Sequence, residues 1–223
     1  MSSYTPTISI LLERPKDAER KFLGLLAIIQ PNTPHQAPLP NTRKELEILR
    51  QQTPGSGLQC LEGPSALKET VFQGLETNSW VHFACHAIQD ISRPTESGFC
   101  VHDGRLSLST IVTKSLPHAD FAFLSACQTA TGDEKLSEEA VHLAAAMLFV
   151  GFRGVVATMW SIMDKDAPLV TEKVYSELFG GLEPDSKKAA YALHHAIKDL
   201  RRGSGNSRDY HFHSWVPFIH VGI

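Results

Sequence analysis

A near-continuous apolar run, KFLGLLAII at residues 21–29, constrains this chain more than any other feature. A strand with so few polar positions must be covered on both faces, as in a parallel sheet with helices on each side. Similar runs recur at Trp80–Ala87, Phe121–Cys127 and Gly154–Trp160, with a short one in LQCLEG and a closing one at Trp215–Val221. Between them, apolar residues fall at helical spacing over Asn41–Gln52, Ser65–Leu75, Glu138–Phe149, Ala167–Leu178 and Lys187–Arg201, and near Leu108–Leu116. Asn41 or Thr42 is expected to cap the first of these helices, with Glu45 close behind. Phe99–Val101 reads as a short extra strand before a turn at Asp103-Gly104. QPNTPHQAPLPN carries four prolines and cannot be helical.

Strands alternating with helices predict one α/β domain over residues 21–223, with a mainly parallel central sheet of about six strands. Residues 1–20 read as an N-terminal arm or lead-in. Chemistry in such folds collects beyond the carboxyl ends of the strands.

Composition excludes several classes. The 21 basic and 24 acidic residues are interspersed and give a net charge of −3, which leaves no footprint for nucleic acid or an anionic membrane. The longest apolar stretch, Leu143–Phe152, is about half of the ~20 residues needed to span a bilayer. MSSYTPTISI lacks the basic-then-apolar order of a secretory signal, so an intracellular protein, cytoplasmic or nuclear, is expected. The four cysteines, Cys60, Cys85, Cys100 and Cys127, form no CxxC pair and read as reduced thiols.

Phosphate loops, dinucleotide fingerprints, the GxSxG elbow and HExxH are absent. VHFACHA offers His82, Cys85 and His86, but alternation along a strand turns Cys85 away from both histidines. The histidines themselves are separated by about 13 Å at ~3.3 Å per residue, too far to share a metal. No metal or organic cofactor is expected. A different pairing is more useful. His86 ends one apolar run and Cys127 ends the next strong one, with a crossover-sized segment between them. Right-handed βαβ connections bring the two strands side by side, or nearly so, with their carboxyl ends at one edge. A thiol is mostly protonated at neutral pH, and an adjacent imidazole can take its proton and later return it to a leaving amine. Backbone N–H groups there, including that of Cys127, can hold an oxyanion. Cys60, Cys85 and Cys100 read as core residues.

VHFACHA, FLSACQTATGD, the block EEAVHLAAAMLFVGFRGVVATMWSIMDKDAP and the terminal WVPFIHVG together resemble the CHAT family of caspase-like, separase-related cysteine peptidases. SYTPT and the proline-rich segment are similar to fungal members, so the likeness runs from about Tyr4 to the end. It implies a caspase-like three-layer αβα sandwich, with His86 as general base, Cys127 as nucleophile and the Ala87 and Cys127 amides holding the oxyanion. The family usually has glycine where Ala87 stands. If that position needs φ > 0, a Cβ there would impair the enzyme or mark a catalytically silent module that binds signalling partners. Separase-like relatives read a basic side chain with an acidic residue in the loop after the Trp-containing strand, which implies Asp164 or Asp166 here, Asp164 first. The resemblance also implies a protein or peptide substrate and helical-repeat sensor proteins supplied in trans.

Overall fold

Strand β1, Leu25–Ile29, has no exposed residue, and it lies between two parallel neighbours, as its unbroken apolar sequence requires. The computed structural model describes residues 3–4, 20–88, 90, 92–129, 140–159, 162–202 and 212–222; side chains at 126–129, 140–142 and 212–213 fall outside this description. The other strands are β2 (Leu58–Glu62), β3 (Trp80–Ile88), β4 (Gly98–Val101), β5 (Gly104–Ser107), β6 (Phe121–Thr129), β7 (Gly154–Thr158) and β8 (Phe218–Gly222). Six follow one path, β2-β1-β3-β6-β7-β8, with β8 antiparallel and every other neighbour parallel. The β4–β5 hairpin joins through two antiparallel pairs to the end of β3.

Strand parity sorts the core into two halves. Leu25, Ala27 and Ile29 of β1 face one side with Trp80, Ala84, Phe121 and Phe123. Against them pack helices α1 (Thr42–Gln52), α5 (Ala167–Leu178) and α6 (Ala189–Arg202). α5 buries Ala167, Val170, Thr171, Val174, Tyr175 and Leu178, a stripe at the 3.6-residue period. The opposite parity, Leu26, Ile28, Val81, Phe83, Cys85 and Leu124, meets α2 (Lys68–Thr77), α3 (Leu108–Ile111) and α4 (Ala140–Phe149). The result is a sheet between two helical layers. Among the described residues, no helix is long and apolar enough to cross a membrane.

Several boundaries differ from expectation. The first strand starts at Leu25 because Gly24, at φ +150°, turns the chain into the sheet. β5 was not expected as a strand, only as the turn at Asp103-Gly104 leading to a helix; its GRLS sequence buries only Leu106, so it holds as a strand through pairing with β4. Trp215 belongs to a short helix, α7 (Phe212–Trp215), where its ring lies 4.7 Å from the Arg201 guanidinium. Pro217 ends that turn, and β8 starts after it. Trp160, Glu138 and Glu139 lie outside the described residues.

Candidate active site

β3 and β6 pair in step over nine positions, Trp80–Ile88 with Phe121–Thr129, and His86 is the register partner of Cys127. β3 runs one residue and β6 two residues past the expected ends, because ladder bonds come from the backbone and do not need apolar side chains. Their outer neighbours stop sooner. β1 follows β3 as far as Ala84, and β7 pairs with β6 as far as Phe123. The ends of β3 and β6 therefore project beyond both flanking strands, and the loops after β1 and β7 leave on either side of them.

The loop after β1 is the proline-rich segment, and it reaches His86. The imidazole is buried, and its Nε2 lies 2.7 Å from the carbonyl oxygen of Ala37. A carbonyl can only accept, so Nε2 carries the hydrogen and neutral His86 keeps a lone pair on Nδ1. Nδ1 is buried and has no hydrogen-bond partner among the described residues. Ser125, two residues before Cys127, likewise has a buried hydroxyl without a partner. Unpartnered buried polar atoms are uncommon and call for an occupant.

The loop that supplies Ala37 is stiff. Pro34 and His35 form a turn closed by Gln36 N–H to Thr33 O at 3.1 Å, with His35 at φ +63°. Leu39 is buried, and its N–H donates to Pro31 O at 2.9 Å. Thr42 Oγ1 donates to Leu39 O at 2.8 Å, and neither it nor Asn41 caps α1 with its side chain. The capping expectation fails because both side chains have other work. Asn41 donates its N–H and its amide to Asp164 Oδ2, at 3.0 and 2.6 Å.

Asp164 and Asp166 sit in the loop after β7, at the sheet edge toward which β3 and β6 point. They are not equivalent. Asp164 is held by Asn41. Asp166 is 1% exposed, stands just before α5 without capping it, and neither of its carboxylate oxygens has a hydrogen-bond partner among the described residues. Ala87 is buried in β3 and is the register partner of Phe99 and Gln128. Its backbone φ is not positive, since His35 is the one described non-glycine residue there. Alanine at this position therefore meets no steric penalty of the kind that would have required glycine.

The remaining polar residues of the core serve structure. His82 is wholly buried between Tyr175 Oη at 3.2 Å from Nδ1 and Glu45 Oε2 at 3.2 Å from Nε2. Thr171 Oγ1 donates to the same Glu45 oxygen at 2.8 Å. Burial, and then the Glu45 charge, push the Tyr175 phenol well above its usual value, so it stays protonated. Burial likewise raises the thiols of Cys60, Cys85 and Cys100. Protonated thiols are poor nucleophiles. His195 lies on the surface, 3.0 Å from both oxygens of Glu177. Among the described residues no group of three or more His, Cys, Asp or Glu is placed to hold a metal. The Cys127 side chain and His142 side chain lie outside the described residues.

Two contributors escaped sequence reasoning: the Ala37 carbonyl, which no side chain advertises, and Asn41, whose partner is 123 residues away.

The family model for the CHAT domain matches residues 1–223. No curated protein matches the chain. Among solved structures, the Arg-specific cysteine proteinase gingipain R (RgpB) aligns with a TM-score of 0.57 at 10% identity, over 90% of this chain and 46% of that one. The complex of Porphyromonas gingivalis RgpB pro- and mature domains gives 0.53 at 8% identity, over 90% and 47%. The Saccharomyces cerevisiae separase–securin complex gives 0.54 at 12% identity, over 96% of this chain and 13% of that one. The chain thus spans less than half of the gingipain chains and a small part of the separase chain, and at these identities the likeness is one of fold: a caspase-like α/β sandwich.

Proposed function

Since this chain belongs to the CHAT family and has the fold of gingipain and separase, we propose that it is a cysteine endopeptidase in which Cys127 attacks and His86 carries the proton. The observation that carries the reading is the state of His86. Its Nε2–H is committed to the Ala37 carbonyl, which leaves the Nδ1 lone pair buried and without a partner among the described residues, on the strand position whose register partner is Cys127. That is what a general base for a thiol needs: a fixed tautomer, a fixed ring and an open acceptor.

In this mechanism His86 Nδ1 takes the Cys127 proton, and sulfur bonds to the peptide carbonyl carbon. The charge that develops on oxygen is held by the Cys127 amide and the Ala87 amide. Ala87 lies in a β3–β4 ladder of two register pairs, a short one to open. The C–N bond then breaks as Nδ1–H returns its proton to the leaving amine, and water hydrolyses the thioester by the reverse sequence.

A basic residue before the cleaved bond is the preferred substrate feature, and Asp166 is the better of the two acids to read it. A buried carboxylate with no partner is costly, and a substrate guanidinium or ammonium supplies the missing charge and donors. Arginine specificity in gingipain R is consistent with that choice. The substrate is a protein or peptide, and helical-repeat sensors supplied in trans are its proposed regulators.

Incubating the protein with a mixed-sequence peptide library and sequencing the new termini by mass spectrometry tests the proposal. Cleavage after Arg or Lys, lost in both Cys127→Ala and His86→Ala, is expected. Absence of any cleavage dependent on these two residues would leave the chain a silent binding module.

A further inference from the structure

We infer that Asp164 is a positioning residue for His86, and that it links the loop that meets substrate to the general base. The inference rests on the reading of His86 as the base, and it assigns Asp164 a role other than contact with the substrate.

The link is a short mechanical chain. Asp164 Oδ2 accepts both the backbone N–H and the side-chain amide of Asn41, at 3.0 and 2.6 Å. Hydrogen bonds to a carboxylate are roughly twice as strong as neutral ones, and two of them on one oxygen fix position as well as distance. Three residues separate Asn41 from Ala37, and two of them are Pro38 and Pro40. Each proline fixes its own φ and drives the residue before it into an extended conformation, so Ala37 through Pro40 behaves as a strut. Leu39 is buried in its middle, with its N–H bonded to Pro31 O, and this keeps the strut from sliding. At its far end the Ala37 carbonyl selects the His86 tautomer and sets its ring.

The other end of the chain is the substrate side. Asp164 and Asp166 lie in one turn, closed by Asp166 N–H to Met163 O at 2.9 Å. A cation that engages Asp166 therefore acts on the turn that holds Asn41. The Ala37 carbonyl already rests on His86 without substrate, so such a contact can tighten that placement when the correct side chain is bound and join specificity to the protonation geometry of the base.

The experiment uses the full chain as wild type, Asp164→Ala, Asp164→Asn and Asn41→Ala. Nitrogen-15 NMR of the imidazoles reads the His86 tautomer directly, and the rate of Cys127 alkylation by an arginyl acyloxymethyl ketone reads its consequence. In the wild type His86 should be the Nε2–H tautomer. Asp164→Ala should give a mixture of tautomers and slow the maximal labelling rate on the order of tenfold, with the half-saturating probe concentration little changed. Asp164→Asn keeps an acceptor for the Asn41 N–H and should restore most of both signals. Should Asp164→Ala fail to fold, Asn41→Ala, which removes the 2.6 Å bond alone, must show the same tautomer mixture at smaller amplitude. An unchanged His86 tautomer in the folded variants overturns the inference. A shifted tautomer with no labelling even in the wild type upholds the link and refutes the proposed peptidase instead.

Discussion

Replacing Asp166 by asparagine should stabilise the protein while weakening its grip on a basic substrate. Buried acids are normally destabilising to lose, so the expected sign is opposite to the common one. Asp166 is 1% exposed, with neither oxygen partnered among the described residues, so a carboxylate there has little water and no described donor to hold it. Asparagine has nearly the same shape and no charge. Its own unpaired amide still costs about 1–3 kcal/mol, against several for an uncompensated carboxylate, which leaves a net gain of about 1–2 kcal/mol. For a chain of this size that is a rise in Tm of about 3–6 °C. The functional cost follows from the same geometry. A buried carboxylate–guanidinium contact is worth about 2–5 kcal/mol, so labelling by an arginyl probe should slow at least about thirtyfold. Urea unfolding and labelling kinetics on the same preparation measure both. A loss of more than about 1 kcal/mol would mean that Asp166 has a structural partner, and the reasoning from its isolation would be wrong.

Glu45→Ala should destabilise the fold by about 3–5 kcal/mol, because it strands the Thr171 hydroxyl and removes the carboxylate 3.2 Å from His82 Nε2 in the core. Glu45→Leu combined with His82→Phe should recover most of that loss; urea midpoints decide, and a single-mutant cost under about 1 kcal/mol contradicts the buried network. His220 is buried with its pKa pushed down to about 4 by desolvation, against an ordinary value of 6.5. Below 6.5 the unfolded chain takes up a proton that the folded one refuses, so stability should fall by about 3 kcal/mol as pH drops to 4. His220→Phe should flatten that part of a pH series of unfolding curves; an unchanged slope would assign the acid sensitivity to other groups.

The four long apolar runs were enough to predict a mainly parallel central sheet, while the strand order comes from the structure. A strand buried on both faces has few alternatives, and crossover-length connections force parallel neighbours. That reading also put the His86 and Cys127 strands side by side or nearly so, and the register makes the two residues direct Cα partners. The hairpin strand β5 was lost because one buried side chain in four leaves no period to see. Trp215 was assigned to the last strand on its apolar character, whereas its ring is satisfied beside Arg201 in a helical turn. At the site, what escaped was relational. Ala37 contributes a carbonyl that any residue would have, and its usefulness comes from the prolines around it and the histidine it meets. The sequence put Asp164 ahead of Asp166; their surroundings separate them otherwise, one bonded to Asn41 and the other buried with no hydrogen-bond partner among the described residues.

The most direct test of the central claim is covalent labelling by peptidyl acyloxymethyl ketones carrying Arg, Lys, Asp, Leu or Met beside the warhead, with the adduct located by peptide mapping. The account predicts an adduct on Cys127 from the Arg and Lys probes, lost in His86→Ala, while Cys60, Cys85 and Cys100 stay unmodified behind their raised thiol pKa values. Selective labelling by the Asp probe would keep the enzyme and remove Asp166 from its pocket. Reaction of Cys127 no faster than the other three cysteines, with or without His86, would contradict the assembled pair altogether.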